Sequence, residues 1–282
     1  MRALFLVVAL SGCRAVVESG VTYRECDASQ LFEGFDGDTS MEALAERCWQ
    51  VDNVENDPDK VGVHDGDLVI KVSEPIHGRL EQWVGSDQGP MVFQNIEGDF
   101  LMAARIETLD QGTGDHCLIS PGEELNMAGL VVRRDAEWST FFLAPFFPEP
   151  GMACDDMADP PPPTKAVITS ESWDGDAELR NFMGAPLDSG IGNDGEADIL
   201  ICRYADELSY YVRLQSSPPE MPVWEELPVK HIVGEGPLDF GMTASGHDPV
   251  YTVEGHFDWV LFDRIEIDGC GSRFALVLPP VD

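Results

Sequence analysis

The chain is 282 residues long and carries 52 acidic against 17 basic side chains, a formal net charge of −35 at pH 7. A surface this negative repels polyanions, so nucleic acid and anionic lipid headgroups are poor candidates for ligands. Three explanations of the charge stay open: a hydrated surface suited to a salt-rich habitat, calcium binding, and a cationic partner. The acids are scattered rather than clustered, which favours the first explanation.

The first residues have the layout of a secretory signal. Arg2 supplies a positive charge, and residues 3–10 form an apolar run that is too short to span a bilayer as a helix. The segment Leu10-Ser11-Gly12-Cys13 resembles the lipobox of bacterial lipoproteins. That resemblance implies cleavage before Cys13 and lipidation of Cys13, with Arg14 rather than Asp favouring the outer membrane or cell surface. The alternatives are a plain signal peptide in which Cys13 is a coincidence, and a start codon that has been placed too far downstream.

Six further cysteines support export. An even number in an exported chain suggests up to three disulfides, although the sequence leaves their connectivity open. We predict the pairs Cys117–Cys154, which bracket one hairpin, and Cys26–Cys270, which lie near opposite ends of the chain. There is no CxxC motif or Cys/His cluster, so a zinc site has no support.

Alternation of apolar and polar residues predicts β-strands from Phe32 onward. In residues 98–108, alternate side chains from Phe100 to Ile106 share one face, and residues 207–215 repeat the pattern. In the last long strand, we expect Phe257, Trp259 and Leu261 to share a face.

Turn and capping residues divide these strands. Two hairpins are predicted, with turns at residues 135–137 and 205–207. One short helix is predicted over residues 39–47, where Thr39 and Glu42 have capping-box spacing. Residues 146–165 contain four consecutive prolines and are predicted to be a loop.

Six segments carry a further resemblance. They are FDGDTSMEALAERCW, VHDGDLVIKV, GPMVFQNIEGDFLMAARIE, AGLVVRRDAEWSTFF, ADILICRYADELSYYVRL and GHFDWVLF. Together they resemble a group of bacterial concanavalin A-like, laminin-G-like jelly rolls of uncharacterised function. The resemblance implies an all-β fold, an antiparallel β-sandwich with little helix. We therefore expect a signal peptide over residues 1–12, a lipidated cysteine and short tether over 13–29, and one jelly-roll domain over 30–282.

Catalytic motifs are incomplete. Retaining glucanases of this superfamily carry three carboxylates on one strand, whereas Glu266 and Asp268 are followed by Gly269, Cys270 and Gly271. There is also no G-x-S-x-G nucleophile elbow and no phosphate-binding loop. We therefore expect no catalytic residues of a familiar kind.

Loop aspartates are candidate calcium ligands. Residues 174–185 begin like an EF-hand loop but lack its glycine and its final glutamate. The superfamily resemblance still leaves a calcium ion as an alternative to a protein that needs no cofactor. The candidates, whose alternative role is to form turns, are Asp36, Asp38, Asp174 and Asp176.

Aromatic and planar polar side chains are candidates for sugar binding, which uses flat apolar rings with groups that bond hydroxyls. Trp49 and Trp259 are predicted to be core residues instead. The candidates, whose alternative role is packing, are Trp83, Trp138, Trp224, Tyr211, Arg79, Gln82 and Arg133. We expect non-catalytic recognition of a glycan or a surface partner. The alternatives are a glycan-active hydrolase or lyase with an atypical carboxylate site, and a structural envelope protein.

Overall fold

A computed structural model describes most of the predicted domain. Its backbone is described for residues 14–18, 21–25, 30–35, 40–52, 54, 60–72, 89–110, 127–146, 164–173, 176–178, 196–214, 223–245, 253–264 and 270. Side chains are described for residues 34–35, 40–52, 54, 60–72, 89–108, 127–143, 196–213, 224–245, 253–263 and 270.

The described residues form strands with one short helix. In chain order they are β1 (Arg14–Glu18), β2 (Val21–Glu25), β3 (Gln30–Gly34), α1 (Met41–Glu46), β4 (Gln50–Asp52), β5 (Val61–His64), β6 (Asp67–Val72), β7 (Met91–Ile96), β8 (Phe100–Asp110), β9 (Met127–Arg134), β10 (Glu137–Phe146), β11 (Thr164–Trp173), β12 (Asp176–Glu178), β13 (Ala197–Tyr204), β14 (Glu207–Leu214), β15 (Val223–Ile232), β16 (Leu238–Ser245) and β17 (Val253–Arg264). No helix among the described residues is long and apolar enough to cross a membrane.

Two antiparallel sheets stack to form the domain. One has seven strands in the order β12-β11-β10-β9-β16-β7-β4, and the other has eight in the order β15-β14-β13-β8-β17-β6-β5. Strand β3 pairs with the part of β17 that β6 leaves open. This architecture confirms the predicted all-β fold, an antiparallel β-sandwich with little helix. Strands β1 and β2 pair with each other within the segment predicted to be a tether.

The core lies between the sheets and follows the predicted alternation. Phe100, Met102, Ala104 and Ile106 all point into it and are buried. The sheets approach closely at Gly255, where a Cβ atom would lie 2.7 Å from the Cβ atom of Ala128. Only a residue without a side chain fits this position without overpacking.

The prediction for strand β17 was wrong in one respect. Its register with β8 shifts between Phe257 and Trp259, as expected of a β-bulge. Phe257 therefore packs in the inner core with Val260 and Phe262, whereas Trp259 and Leu261 lie on the opposite face. One extra residue in a strand reverses which side chains face inward, and alternation alone does not reveal it.

The two predicted hairpins are confirmed. Arg134 pairs with Glu137 and Tyr204 pairs with Glu207, which leaves two residues in each turn. The first turn residue is left-handed in both, with φ 52° at Asp135 and φ 56° at Ala205. Such turns match the right-handed twist of the strands that they join.

The predicted helix forms, but its N-cap is Ser40 rather than Thr39. The Ser40 hydroxyl accepts a hydrogen bond from the backbone N–H of Ala43 at 3.2 Å. A side-chain oxygen at the N-cap satisfies an amide that the helix leaves without a partner.

The predicted Cys26–Cys270 disulfide is wrong, because Cys270 pairs with Cys202 on β13. In the eight-stranded sheet, β13 is separated from β17 by β8 alone, so a residue six positions beyond the end of β17 can reach it. Cys48 is also disulfide-bonded, to a partner outside the described residues. The predicted pair Cys117–Cys154 lies outside the described residues as well.

Replacing both Cys202 and Cys270 with alanine should lower the stability of the domain. The cross-link spans 68 residues, for which loop-closure entropy alone corresponds to about 4 kcal/mol. We expect the free energy of unfolding to fall by about 2–4 kcal/mol, as measured by urea denaturation followed by tryptophan fluorescence. An unchanged urea midpoint would show that this disulfide contributes no stability.

Candidate functional site

The face of the eight-stranded sheet that points away from the core, here called the outer face, carries both apolar and charged side chains. Its apolar part is a buried cluster against which the half-buried Trp224 packs. The members of this cluster are Leu101, Ala103, Leu200, Cys202, Tyr211, Trp259, Leu261 and Cys270. Cys270 belongs to it because its disulfide places it over β13. Polar side chains on the same face therefore lie beside apolar surface.

Three charged residues form an ion-paired group on this face, here called the Arg–Asp–Arg triad. Arg105 lies directly across from Asp198 on the neighbouring strand and donates from Nε to Oδ1 at 2.8 Å. Arg213 donates from Nη1 to the other carboxylate oxygen, Oδ2, at 2.7 Å. The Asp198 side chain is only 6% exposed. A carboxylate buried to this degree depends on such partners, because an unpaired buried charge is costly.

Of the two arginines, Arg105 contacts more aromatic and acidic side chains. Its guanidinium lies 5.8 Å from the ring centre of Trp259, within the range of a cation–π contact. Glu196 and Asp258 lie 3.9 and 3.7 Å away, with 42% and 49% of their side chains exposed. Burial lowers the pKa of Arg105, but the hydrogen bond and charge of Asp198, helped by Glu196 and Asp258, outweigh burial and raise it. The guanidinium therefore remains a fixed cation.

The guanidinium of Arg213 has fewer hydrogen-bond and ion-pair partners than that of Arg105. The Arg213 side chain is 9% exposed, and Asp198 is its ion-pair partner. The Nε atom is buried and has no hydrogen-bond partner within the described part of the chain. Trp224 lies directly across from it on the edge strand β15. A buried guanidinium N–H thus stands beside a half-buried indole.

A second group, here called the histidine cluster, lies toward the other edge of the outer face. The His256 ring contacts two carboxylates, with Nδ1 3.2 Å from Asp67 Oδ2 and Nε2 3.2 Å from Glu254 Oε2. Lys71 Nζ lies 2.7 Å from the other oxygen of Glu254. Glu107 is opposite His256 on β8. Burial lowers the pKa of His256, but hydrogen bonds and charge from Asp67 and Glu254 outweigh burial and raise it. These contacts suit a protonated imidazolium that donates to both carboxylates.

The structure separates the predicted sugar-binding residues. Tyr211 and Trp224 lie on the outer face of the eight-stranded sheet. Trp138 lies on the opposite side of the sandwich, only 2% exposed, in a cluster with Phe93 and Phe142. Arg133 is on that side too. Trp83, Arg79 and Gln82 lie outside the described residues.

Arg133 has strong partners of its own. It donates to Asp52 at 2.6 Å and to Asp239 at 3.1 Å, and it lies over the Phe93 ring at 5.2 Å. These contacts link β9 to β16 and to the edge strand β4. The sequence candidates therefore do not form one platform.

The calcium candidates remain predictions. Asp36, Asp38 and Asp174 lie outside the described residues, and only the backbone of Asp176 is described, at the start of β12. In the part of the chain with described side chains, no group of three or more His, Cys, Asp or Glu residues is arranged to hold a metal ion. Cys13, the predicted lipidation site, lies outside the described residues as well.

Sequence reasoning missed both charged groups on the outer face. Asp198 is the second residue of β13 and Arg213 the second-last residue of β14, and each has apolar neighbours in the chain, as in ADILICRY. A charge at such a position must find partners across the sheet, and this was the available signal. The partners themselves were not predictable, because strand order is a property of the tertiary structure.

No protein-family model matches the chain. No curated protein matches it either.

Solved structures resemble the chain only distantly. One is a functionally unknown protein from Saccharomyces cerevisiae, with 15% identity and a TM-score of 0.47, covering 76% of this chain and 94% of that chain. Another is the basic winged bean lectin, with 8% identity and a TM-score of 0.43, covering 83% of this chain and 98% of the lectin chain. A third is a xylan β-1,4-xylosidase from Bacillus halodurans, with 10% identity and a TM-score of 0.48. The match covers 74% of this chain but only 35% of the xylosidase chain. At such scores the assignment of the fold rests on the sheet topology of this chain.

Replacing His256 with glutamine should destabilise the protein more in acid than in base. A histidine with a raised folded-state pKa contributes its full stability below its unfolded pKa of about 6.5. That contribution is lost as pH rises through the folded-state value. The difference in unfolding free energy between wild type and His256→Gln should be larger at about pH 5.5 than at about pH 8.5.

Asp67→Asn supplies the control for this prediction. In an Asp67→Asn background, His256→Gln should show a smaller dependence on pH, because one of the two carboxylates that raise the pKa has been neutralised. If the loss of unfolding free energy caused by His256→Gln alone is the same at both pH values, the contacts described for the histidine cluster are contradicted.

Proposed function

We propose that this chain is an exported recognition protein that binds a glycan on the outer face of its eight-stranded sheet. One observation carries the proposal: the ion-paired Arg–Asp–Arg triad lies beside the half-buried indole of Trp224, which is across from Arg213 on β15. Sugars are bound by flat apolar rings against their C–H faces, together with a few fixed polar groups for their hydroxyls. Both elements lie on neighbouring strands here, so the site is organised before a ligand arrives.

We also propose that Cys13 anchors the protein in the outer membrane or on the cell surface. The lipobox-like segment before Cys13 supports this localisation. The Cys202–Cys270 disulfide supports it independently, since such bonds persist mainly in oxidising compartments. Mass spectrometry of the purified native protein should find a chain that begins at an acylated Cys13.

A glycan-active hydrolase or lyase is the second candidate, and the histidine cluster favours it. A histidine between two carboxylates can move protons in acid–base catalysis. However, both ring nitrogens of His256 already face carboxylates at 3.2 Å. A general base needs a ring nitrogen that can accept a proton from the substrate. The geometry therefore supports binding better than turnover.

A glycan array followed by calorimetry tests the proposed function. Trp224→Ala should weaken the binding of any glycan that the wild type binds by about tenfold or more, since a contacting aromatic ring commonly contributes over 1 kcal/mol. Trp138→Phe provides a comparison on the opposite side of the sandwich. Loss of binding in Trp138→Phe but not in Trp224→Ala would move the site to the other sheet.

The same glycans distinguish recognition from catalysis. Incubation with the wild type should release no reducing ends and no unsaturated products. Product that disappears in His256→Gln would replace the binding proposal with the enzymatic candidate. Absence of binding to every glycan on the array would overturn both.

A further inference from the structure

Arg213 has more hydrogen-bond donors than partners. A guanidinium carries five N–H donors in a fixed plane, and the described contact of Arg213 runs from Nη1 to Asp198. The Nε atom is buried and has no acceptor in the described part of the chain, while 9% of the side chain remains exposed. Leaving such a donor unsatisfied costs stability. An incoming acceptor would remove that cost.

The charge of Arg213 is also only partly balanced. Asp198 is a single carboxylate shared between two guanidinium groups, Arg105 and Arg213. Glu196 and Asp258 approach Arg105 and are about half exposed. Glu226, across from Tyr211, is paired with Lys230. The buried part of the triad therefore carries one positive charge in excess, on the side of Arg213.

We propose that Arg213 binds the carboxylate of an acidic sugar, so that the ligand of the outer face is a uronate-bearing glycan. This inference rests on the proposed glycan site and specifies its ligand class. A guanidinium and a carboxylate match in charge and in planar, two-pronged geometry, which a neutral hydroxyl does not. Trp224, across from Arg213 on β15, lies where a sugar ring attached to that carboxylate would pack.

The overall charge of −35 opposes an anionic ligand at long range. Salt limits this repulsion, because the Debye length is about 8 Å at physiological ionic strength. Contacts with a buried guanidinium are screened far less. At such ionic strength the excess positive charge beside Arg213 therefore governs the last few ångströms of the approach.

Matched oligosaccharides test the inference. Tetragalacturonate and its fully methyl-esterified form share the same rings and linkages but differ in charge. By calorimetry at physiological salt, the wild type should bind the acid at least about tenfold more tightly than the ester. Arg213→Gln should abolish this preference by weakening the acid about tenfold while changing the ester little.

Two further variants separate specific from general effects. Arg47→Gln removes one positive charge at the exposed end of α1 and should retain the preference for the acid. Arg213→Lys keeps the charge without the planar fork and should retain only part of the preference. If thermal melting shows that Arg213→Gln does not fold, Arg213→Lys serves as the test variant in its place.

The outcomes distinguish this inference from the function on which it rests. Equal affinity for acid and ester, or an unchanged preference in both Arg213 variants, would overturn the role of Arg213. If neutral glycans then bind and Trp224→Ala weakens them, the proposed function stands without this ligand class. If neither oligosaccharide nor any array glycan binds, the proposed function fails as well.

Discussion

The central strands of the eight-stranded sheet are buried on both faces, and this constraint governs the rest of the structure. On β8, Met102 and Ala104 point into the inner core, while Leu101 and Ala103 are buried on the outer face. Antiparallel sheets commonly leave one face to water. Here both faces exclude it over the central strands, so an unpaired polar group there is costly.

The Arg–Asp–Arg triad follows from that constraint. Asp198 is tolerated in a buried strand because two arginines reach it from β8 and β14. Buried ion pairs are poor stabilisers, since the cost of removing the charges from water offsets much of their attraction. Apolar residues of similar size would serve packing as well or better. Stability alone is therefore a poor explanation of the triad, which is why we propose a ligand for it.

Two departures from regular strand geometry complete this face. The β-bulge beside Asp258 turns Trp259 outward, where its ring meets Arg105. Without the extra residue, Trp259 would have pointed into the core. The disulfide from Cys202 to Cys270 adds to the apolar cover of the same surface. Both features bring aromatic or apolar surface next to fixed charge, the combination on which the proposed site depends.

The sequence by itself determined the class of fold, the inner core and the hairpins. Alternation identified the inward side chains of β8 and β14, and turn residues located both hairpins, although each turn is one residue shorter than predicted. These features are local, because the face to which each strand residue points and the conformation of a tight turn both depend on residues close together in the chain. The order of the strands, the bulge in β17 and the partner of Cys270 were decided only by the tertiary structure. The triad and the histidine cluster join residues up to 189 positions apart, and no short-range pattern encodes which distant strands become neighbours.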